Sequence, residues 1–401
     1  MIQFRFFIFA LLFTATFKDD MSAVLSNSSD WSSLSVYPLF AQFKEKSFFG
    51  FPLMIAVGVL LLLKNKIIYL PKSYSLQIFF ILFAFSIFRT AFYDEVLSLK
   101  VLIGALIFLF SYIYLSLIIY RIGHETFIKE VFYILYLFSI FYISVNIINN
   151  ILGYGYVHGF PRNFGTTTHP NFLGVQIALC LLIIWARVDI SLSSIIPFIF
   201  IFCGAWLLLT TGSRTGFLML GVGLFTYIQL ANKNISKYII LFLLCAFLFL
   251  FYNMVDKDIF SVFDRGYGGV DTRSASWEIL FLGFLENPIF GLGFFKKASE
   301  SSYLRMLVNY GVIYFILFII MVIHLSKKIL LLLRNKNSAE LLAPYCLSLS
   351  LLSSLLIGGI FEGFLVDIYS FPLIIFFILC LISTGKIFIS KLYSKDEIIF
   401  N

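Results

Sequence analysis

Apolar stretches long enough to cross a bilayer follow one another from the first residues of this chain to near its last. A hydrocarbon core needs about 20 predominantly apolar residues per helix, with every backbone N–H and C=O bonded inside the segment. The chain is 61% hydrophobic and 12% charged, too little polar surface to wrap a water-soluble core. The expected fold is all-α and polytopic, a single integral membrane domain over 1–401. Twelve spans are expected, near 4–17, 47–63, 74–92, 96–119, 128–150, 170–186, 192–210, 214–231, 236–253, 302–324, 341–361 and 368–389. The first is short, and Arg5 ahead of an apolar run also suits a signal peptide. No small-x-small cleavage pattern follows, so a retained helix is expected. Cys180, Cys203, Cys245, Cys346 and Cys380 all fall in expected spans without CxxC spacing, as small apolar residues do.

The net charge of +8 is distributed as a topology signal and gives no reason to expect nucleic acid. With the N-terminus cytoplasmic, 16 basic and six acidic residues fall on the inner side, and 13 basic and 15 acidic on the outer. Both termini are therefore expected inside. The one long interruption, residues 254–301, is expected outside, away from ATP and nucleotide sugars. It carries Asp256, Asp258, Asp264, Arg265, Asp271, Arg273, Glu278 and Glu300, yet also the apolar run Ile279 to Leu285. That mixture suits a lid lying on the membrane surface over a site.

In this topology the sixth, eighth and tenth spans all start at the outer face, each after an unusual polar sequence. The first is Arg162-Asn163-Phe164-Gly165-Thr166-Thr167-Thr168-His169-Pro170-Asn171, where Pro170 suits the first helical position and His169 or Thr168 can cap. The second is Thr211-Gly212-Ser213-Arg214-Thr215-Gly216, with Ser213 as cap. The third is Glu300-Ser301-Ser302-Tyr303-Leu304-Arg305, where either serine can cap. Helix N-termini present free N–H groups and positive dipole charge, and arginine grips phosphate oxygens in pairs. Arg162, Arg214 and Arg305 at three such starts suit a lipid-linked phosphate or diphosphate. The competing reading is that they anchor helices at the headgroups.

At these residues the chain resembles the O-antigen ligase and Wzy-type polysaccharide polymerase family. Thr211 to Gly216 resembles that family's short Ser-Arg motif between two spans, and Phe164-Gly165 through His169-Pro170-Asn171 its Gly…Asn-Pro-Asn segment. Arg273, Trp277 and Asn287-Pro288-Ile289-Phe290-Gly291-Leu292-Gly293 resemble its Arg…Trp…Pro-x-x-Gly-x-Gly run. Glu300 to Leu304, followed by Asn309-Tyr310-Gly311, resembles the opening of the span after the loop. The ligases carry a histidine where Glu300 stands, whereas polymerases often carry an acid there.

The resemblance implies a C-type membrane glycosyltransferase of the bacterial cytoplasmic membrane, with its active site extracytoplasmic; the sequence shows no Cys/His metal cluster and no P-loop, so no metal or other cofactor is expected. Its implied partners are an undecaprenyl-diphosphate-linked glycan donor and acceptor in the lipid bilayer, with a chain-length regulator and a flippase as candidate associates. Glu300 is then the candidate general base and Arg214 the group that stabilises the leaving diphosphate. Arg162, His169, Ser213, Arg265, Arg273, Trp277, Tyr303 and Arg305 are the candidate substrate and diphosphate ligands. A helix capped at Asp271 or Thr272 puts Arg273 and Trp277 on one face. Trp277 then stacks on a sugar or lies in the membrane interface, and His169 either binds phosphate, serves as an alternative base or merely starts its helix. Asp256-x-Asp258 has the spacing of a metal–nucleotide site but lies on the wrong side for nucleotide sugars. A transporter or flippase predicts two related halves, and no repeat of the 160–320 pattern is found in 1–150. An O-acyltransferase finds support only in His169, and a ligase differs in its acceptor.

Overall fold

The computed structural model describes residues 1–17, 36–40, 42, 71, 73–92, 95–156, 162–167, 169–190, 195–231, 272–293, 295, 300–334 and 339–384. These form α1 (Ile2–Phe17), α2 (Tyr74–Ala91), α3 (Glu95–Ile122), α4 (His124–Ile151), α5 (Pro170–Ile190), α6 (Ile196–Thr211), α7 (Arg214–Ala231), α8 (Thr272–Glu286), α9 (Ser302–Arg334), α10 (Leu342–Phe361) and α11 (Phe371–Ile382). Among the described residues the only strand-like pairing is a bridge between Tyr156 and Asn163. The chain is thus a polytopic helical membrane protein.

Six described helices are long and apolar enough to cross a membrane: Tyr74–Ala91, Leu97–Ile122, His124–Ile151, Pro170–Arg187, Ser302–Arg334 and Leu342–Phe361. α1, α6 and α11 are apolar but shorter. Six of the twelve expected spans thus coincide with described helices of spanning length, and the expected spans 47–63 and 236–253 lie outside the described residues. α1, expected as a retained helix, is packed into the core, with Phe4, Ile8, Leu11, Leu12 and Phe17 buried and Phe4 against Phe127 of α4. α9 runs ten residues past its expected end, because Leu325 and Ile329 are still buried while Lys327, Lys328 and Arg334 accompany them.

Antiparallel packing sorts the helix ends into two groups. At one end Arg5 makes a two-pronged ion pair with Glu130, at 2.7 and 3.0 Å. There too Lys129 pairs with Glu340, and His124 bonds the carbonyl of Ile382 at 3.0 Å. The Lys129 ammonium holds the exposed Glu340 carboxyl below the usual carboxylate range. At the opposite end lie the starts of α5, α7 and α9 and the end of α10.

α7 and α10 pack antiparallel along a long seam. Ser350 Oγ donates to the Gly223 carbonyl at 2.7 Å and Ser354 Oγ to the Met219 carbonyl at 2.8 Å, while Ser353 donates to Thr226 at 3.0 Å. Small residues let the backbones approach, and hydroxyls bridge them, each bridge adding roughly 0.6 kcal/mol in a membrane. This register sets the last turn of α10 beside the first turn of α7.

α9 is broken at Gly311, whose φ of 81° only glycine adopts readily. The carbonyls freed by the break are taken by the turn that follows α8. Leu292 N–H donates to the Val308 carbonyl at 2.7 Å and Gly293 N–H to the Asn309 carbonyl at 2.8 Å. Beyond the break Val312 N–H donates to Pro288, at 2.8 Å. The Asn287 to Gly293 turn is therefore docked into the helix by backbone bonds, and Arg89 of α2 ties it from the other side, donating to the Gly291 carbonyl at 2.6 Å.

Candidate active site at three helix starts

The three helix starts read from the sequence meet at one buried floor. Each is capped locally. Before α5, the ring Nδ1 of His169 accepts the Asn171 N–H at 3.2 Å and so caps the helix start. The preceding loop is folded by Thr167 Oγ1, which donates to the carbonyls of Phe164 and His169 at 2.8 and 2.9 Å. Before α7, Ser213 Oγ accepts the Gly216 N–H at 3.1 Å. Before α9, Ser301 Oγ faces the Leu304 N–H at 3.4 Å. Ser301 is the only non-glycine residue at positive φ (64°) among those described. Such a conformation is costly and survives only where the surroundings enforce it.

The residue that joins these starts is Glu362, directly after α10, which sequence reasoning did not single out. It is only 6% exposed. Asn171 Nδ2 donates to its Oε1 at 2.9 Å and Thr215 Oγ1 to the same oxygen at 3.2 Å. Its backbone carbonyl accepts from Ser302, the N–H at 3.0 Å and the hydroxyl at 2.6 Å. One residue thereby touches α5, α7 and α9. Its neighbour Phe361 meets the Trp277 ring of α8, with centroids 6.2 Å apart. The available signal was a lone acid closing the long apolar run of α10 between Gly358-Gly359 and Gly363.

The arginines surround this floor. Arg162 donates through Nε to the Thr211 carbonyl at 2.7 Å and through Nη2 to Asn171 Oδ1 at 2.6 Å. Arg214 opens α7 next to Thr215 and is exposed, above the buried Ser213 and Thr215. Arg305 sits one turn into α9 and donates to the Gly363 carbonyl at 3.1 Å, with Asp367 at 3.8 Å. Glu300, half-buried, immediately precedes the Ser301-Ser302 pair at the rim. Arg305 Nε and Trp277 Nε1 are buried donors that meet no acceptor among the described residues.

The Tyr303 hydroxyl donates to the Leu356 carbonyl at 2.6 Å, within the α9–α10 contact. Arg265, Asp256 and Asp258 lie outside the described residues, as does the side chain of Arg273, whose backbone is in α8. α8 carries the expected apolar run of the loop, with Leu280 buried and Ile279, Phe281, Leu282 and Leu285 exposed. Among the described residues no group of His, Cys, Asp or Glu is arranged to hold a metal ion.

Buried hydroxyls, three capped helix starts and arginines gather at one end of the described bundle. Residues 198–319 match the family model described as O-Antigen ligase (Wzy_C). This match supports the O-antigen ligase/Wzy-type family named above from its motifs, a family of glycosyltransferase-like enzymes. It spans Ser213, Arg214, Glu300 and Arg305, while Arg162, His169 and Glu362 lie beyond its limits. A comparison with curated proteins finds no match.

Proposed function

We infer that this protein polymerises lipid-diphosphate-linked oligosaccharide repeat units into surface polysaccharide on the outer face of a bacterial cytoplasmic membrane. The observation that carries this reading is the convergence of the α5, α7 and α9 starts, with Arg162, Arg214 and Arg305, around one floor. Aligned N–H dipoles and guanidinium groups at a membrane surface favour a diphosphate as it leaves. Glu300 at the rim takes the proton of the acceptor hydroxyl, that oxygen attacks the anomeric carbon, and the bond to the lipid diphosphate breaks. Arg214 neutralises the departing charge. The buried donors Arg305 Nε and Trp277 Nε1 favour a ligand rich in oxygen acceptors.

The excess of basic residues on the opposite end, where Arg5, Lys129 and Lys327 lie, supports an extracytoplasmic site with both termini inside. A ligase is the second reading, because the matching family model carries that description. Glu300, in place of the ligases' histidine, favours the polymerase. Gene deletion followed by gel analysis of surface glycan separates the two. A polymerase mutant keeps single repeats on the anchor and loses long chains. A ligase mutant loses all attached repeats while lipid-linked polymer persists. Repeats accumulating on the inner leaflet sink both and indicate a flippase.

A further inference from the structure

We propose that Glu362 is the positioning residue of this site, holding Arg162 and Arg214 at their mutual spacing from beneath; the role given to it rests on the glycosyl-transfer reading above. A carboxylate only accepts hydrogen bonds and a guanidinium only donates them, whereas an asparagine amide does both. Asn171 stands between Glu362 and Arg162, its Nδ2 turned to the carboxylate and its Oδ1 to the guanidinium. The partners at its two ends therefore fix the amide in one orientation. Arg162 is in turn held to the Thr211 carbonyl, at the end of α6 and the threshold of α7. The same Glu362 oxygen receives the hydroxyl of Thr215, the residue after Arg214. One buried acceptor thus governs the bases of two arginines that come from different helix starts.

The location adds to this. Three helix N-termini and several guanidinium groups crowd together here, and mutual repulsion would spread them. A buried anion at their centre counters that repulsion, and charge-assisted hydrogen bonds are strongest where water is excluded. Glu362 lies under Asn171, Thr215 and Ser302, so it acts on the reaction through them. A reactive geometry tolerates little drift, and a misplacement of about 1 Å costs on the order of 100-fold in rate.

The test is a double-mutant cycle on Glu362→Gln and Asn171→Asp, expressed in a strain deleted for the gene. The first change keeps shape and an acceptor oxygen but removes the charge. The second sets two carboxylates against each other. Together they restore one carboxylate and one amide across the contact, with the new carboxylate at position 171 beside Arg162. Chain length of the surface glycan and melting temperature of the purified protein in detergent are both measured. Each single variant is expected to lower long-chain polymer on the order of 10–100-fold, and the double variant to recover most of the polymer and of the melting temperature. Thr215→Ser is expected to retain long chains and Thr215→Val to lose them, which keeps the test sharp if Glu362→Gln folds poorly.

Wild-type chains from Glu362→Gln overturn the proposal. So does a double variant that melts like the wild type yet makes no polymer, because the carboxylate is then needed at position 362 itself. Additive melting losses in the cycle overturn it as well. A deletion strain with unchanged glycan sinks the polymerase reading instead, and the melting cycle still reports on the Glu362–Asn171 contact.

Discussion

Gly216 in α7 lies against the backbone of Gly174 in α5, so close that a methyl group at position 216 would stand 2.7 Å from the Gly174 carbonyl oxygen. The obstacle is main chain, which cannot rotate away. The same approach brings Ser213 beside Gly174, where a Cβ would meet the serine Cβ at 2.3 Å. The two helix starts that carry Arg162 and Arg214 are thus held together by the smallness of two residues.

Gly216→Ala should therefore separate α5 from α7. Overpacking of this kind costs about 1–3 kcal/mol, and a lowered melting temperature in detergent is the expected result, together with shorter glycan. Gly221, one helical turn and a half further along α7, has nothing among the described residues within 4 Å of its Cβ position. Gly221→Ala should match or exceed the wild-type melting temperature, since alanine suits a helix better by roughly 0.5–1 kcal/mol. Equal behaviour of the two variants would show that the contact at Gly216 does not constrain the site.

Gly311→Ala tests the docking of the turn after α8. The position combines a φ of 81° with a Cβ that would lie 2.1 Å from the Ile289 carbonyl oxygen. The variant should release the Asn287 to Gly293 turn from α9 and leave the carbonyls of Val308 and Asn309 without their N–H partners. Each such buried group costs about 1–3 kcal/mol when left unmet. Limited proteolysis read by mass spectrometry should show faster cleavage within 287–293. Unchanged cleavage there would mean that α9 does not need this break to hold the turn.

How much of this was legible in the sequence follows from how local each signal is. The caps at Ser213 and His169-Pro170 depend on neighbours three or fewer residues away, so their chemistry reads directly from the chain. The convergence of the three starts required the order of the spans, because alternate spans start at the same face. Asn309-Tyr310-Gly311 stood out as a motif, but the helix break at Gly311 was hidden because a glycine inside an apolar run reads as part of an ordinary span. Only the approach of Pro288 to Gly293 gives the break its bonds. Glu362 was hidden for the same kind of reason. An acid at the end of a span reads as a surface anchor, and its partners Asn171, Thr215 and Ser302 come from three distant segments.

Arg214→Ala should abolish long-chain polymer while the protein remains at wild-type levels in the membrane, judged by immunoblot beside the glycan gel. The side chain is exposed above a buried turn that keeps its own cap through Ser213, so its removal leaves the helix start intact. Arg214→Lys should restore only part of the activity. Lysine keeps the charge but loses the planar fork that meets two phosphate oxygens at once. Normal chain length in Arg214→Ala would remove this residue from the site.

Glu300→Gln separates proton transfer from binding. If Glu300 accepts the proton of the attacking hydroxyl, the amide cannot replace it, and general-base catalysis contributes typically about 10²- to 10⁴-fold. The loss should fall on kcat, with KM for the lipid-linked repeat changed little, because a base acts on a group that forms charge only in the transition state. The assay is elongation of lipid-diphosphate-linked repeats by purified protein in liposomes, with substrate concentration varied. A rise in KM at constant kcat would instead make Glu300 a sugar-binding group, and elongation at the wild-type rate would shift the search for the base to the other groups at this rim.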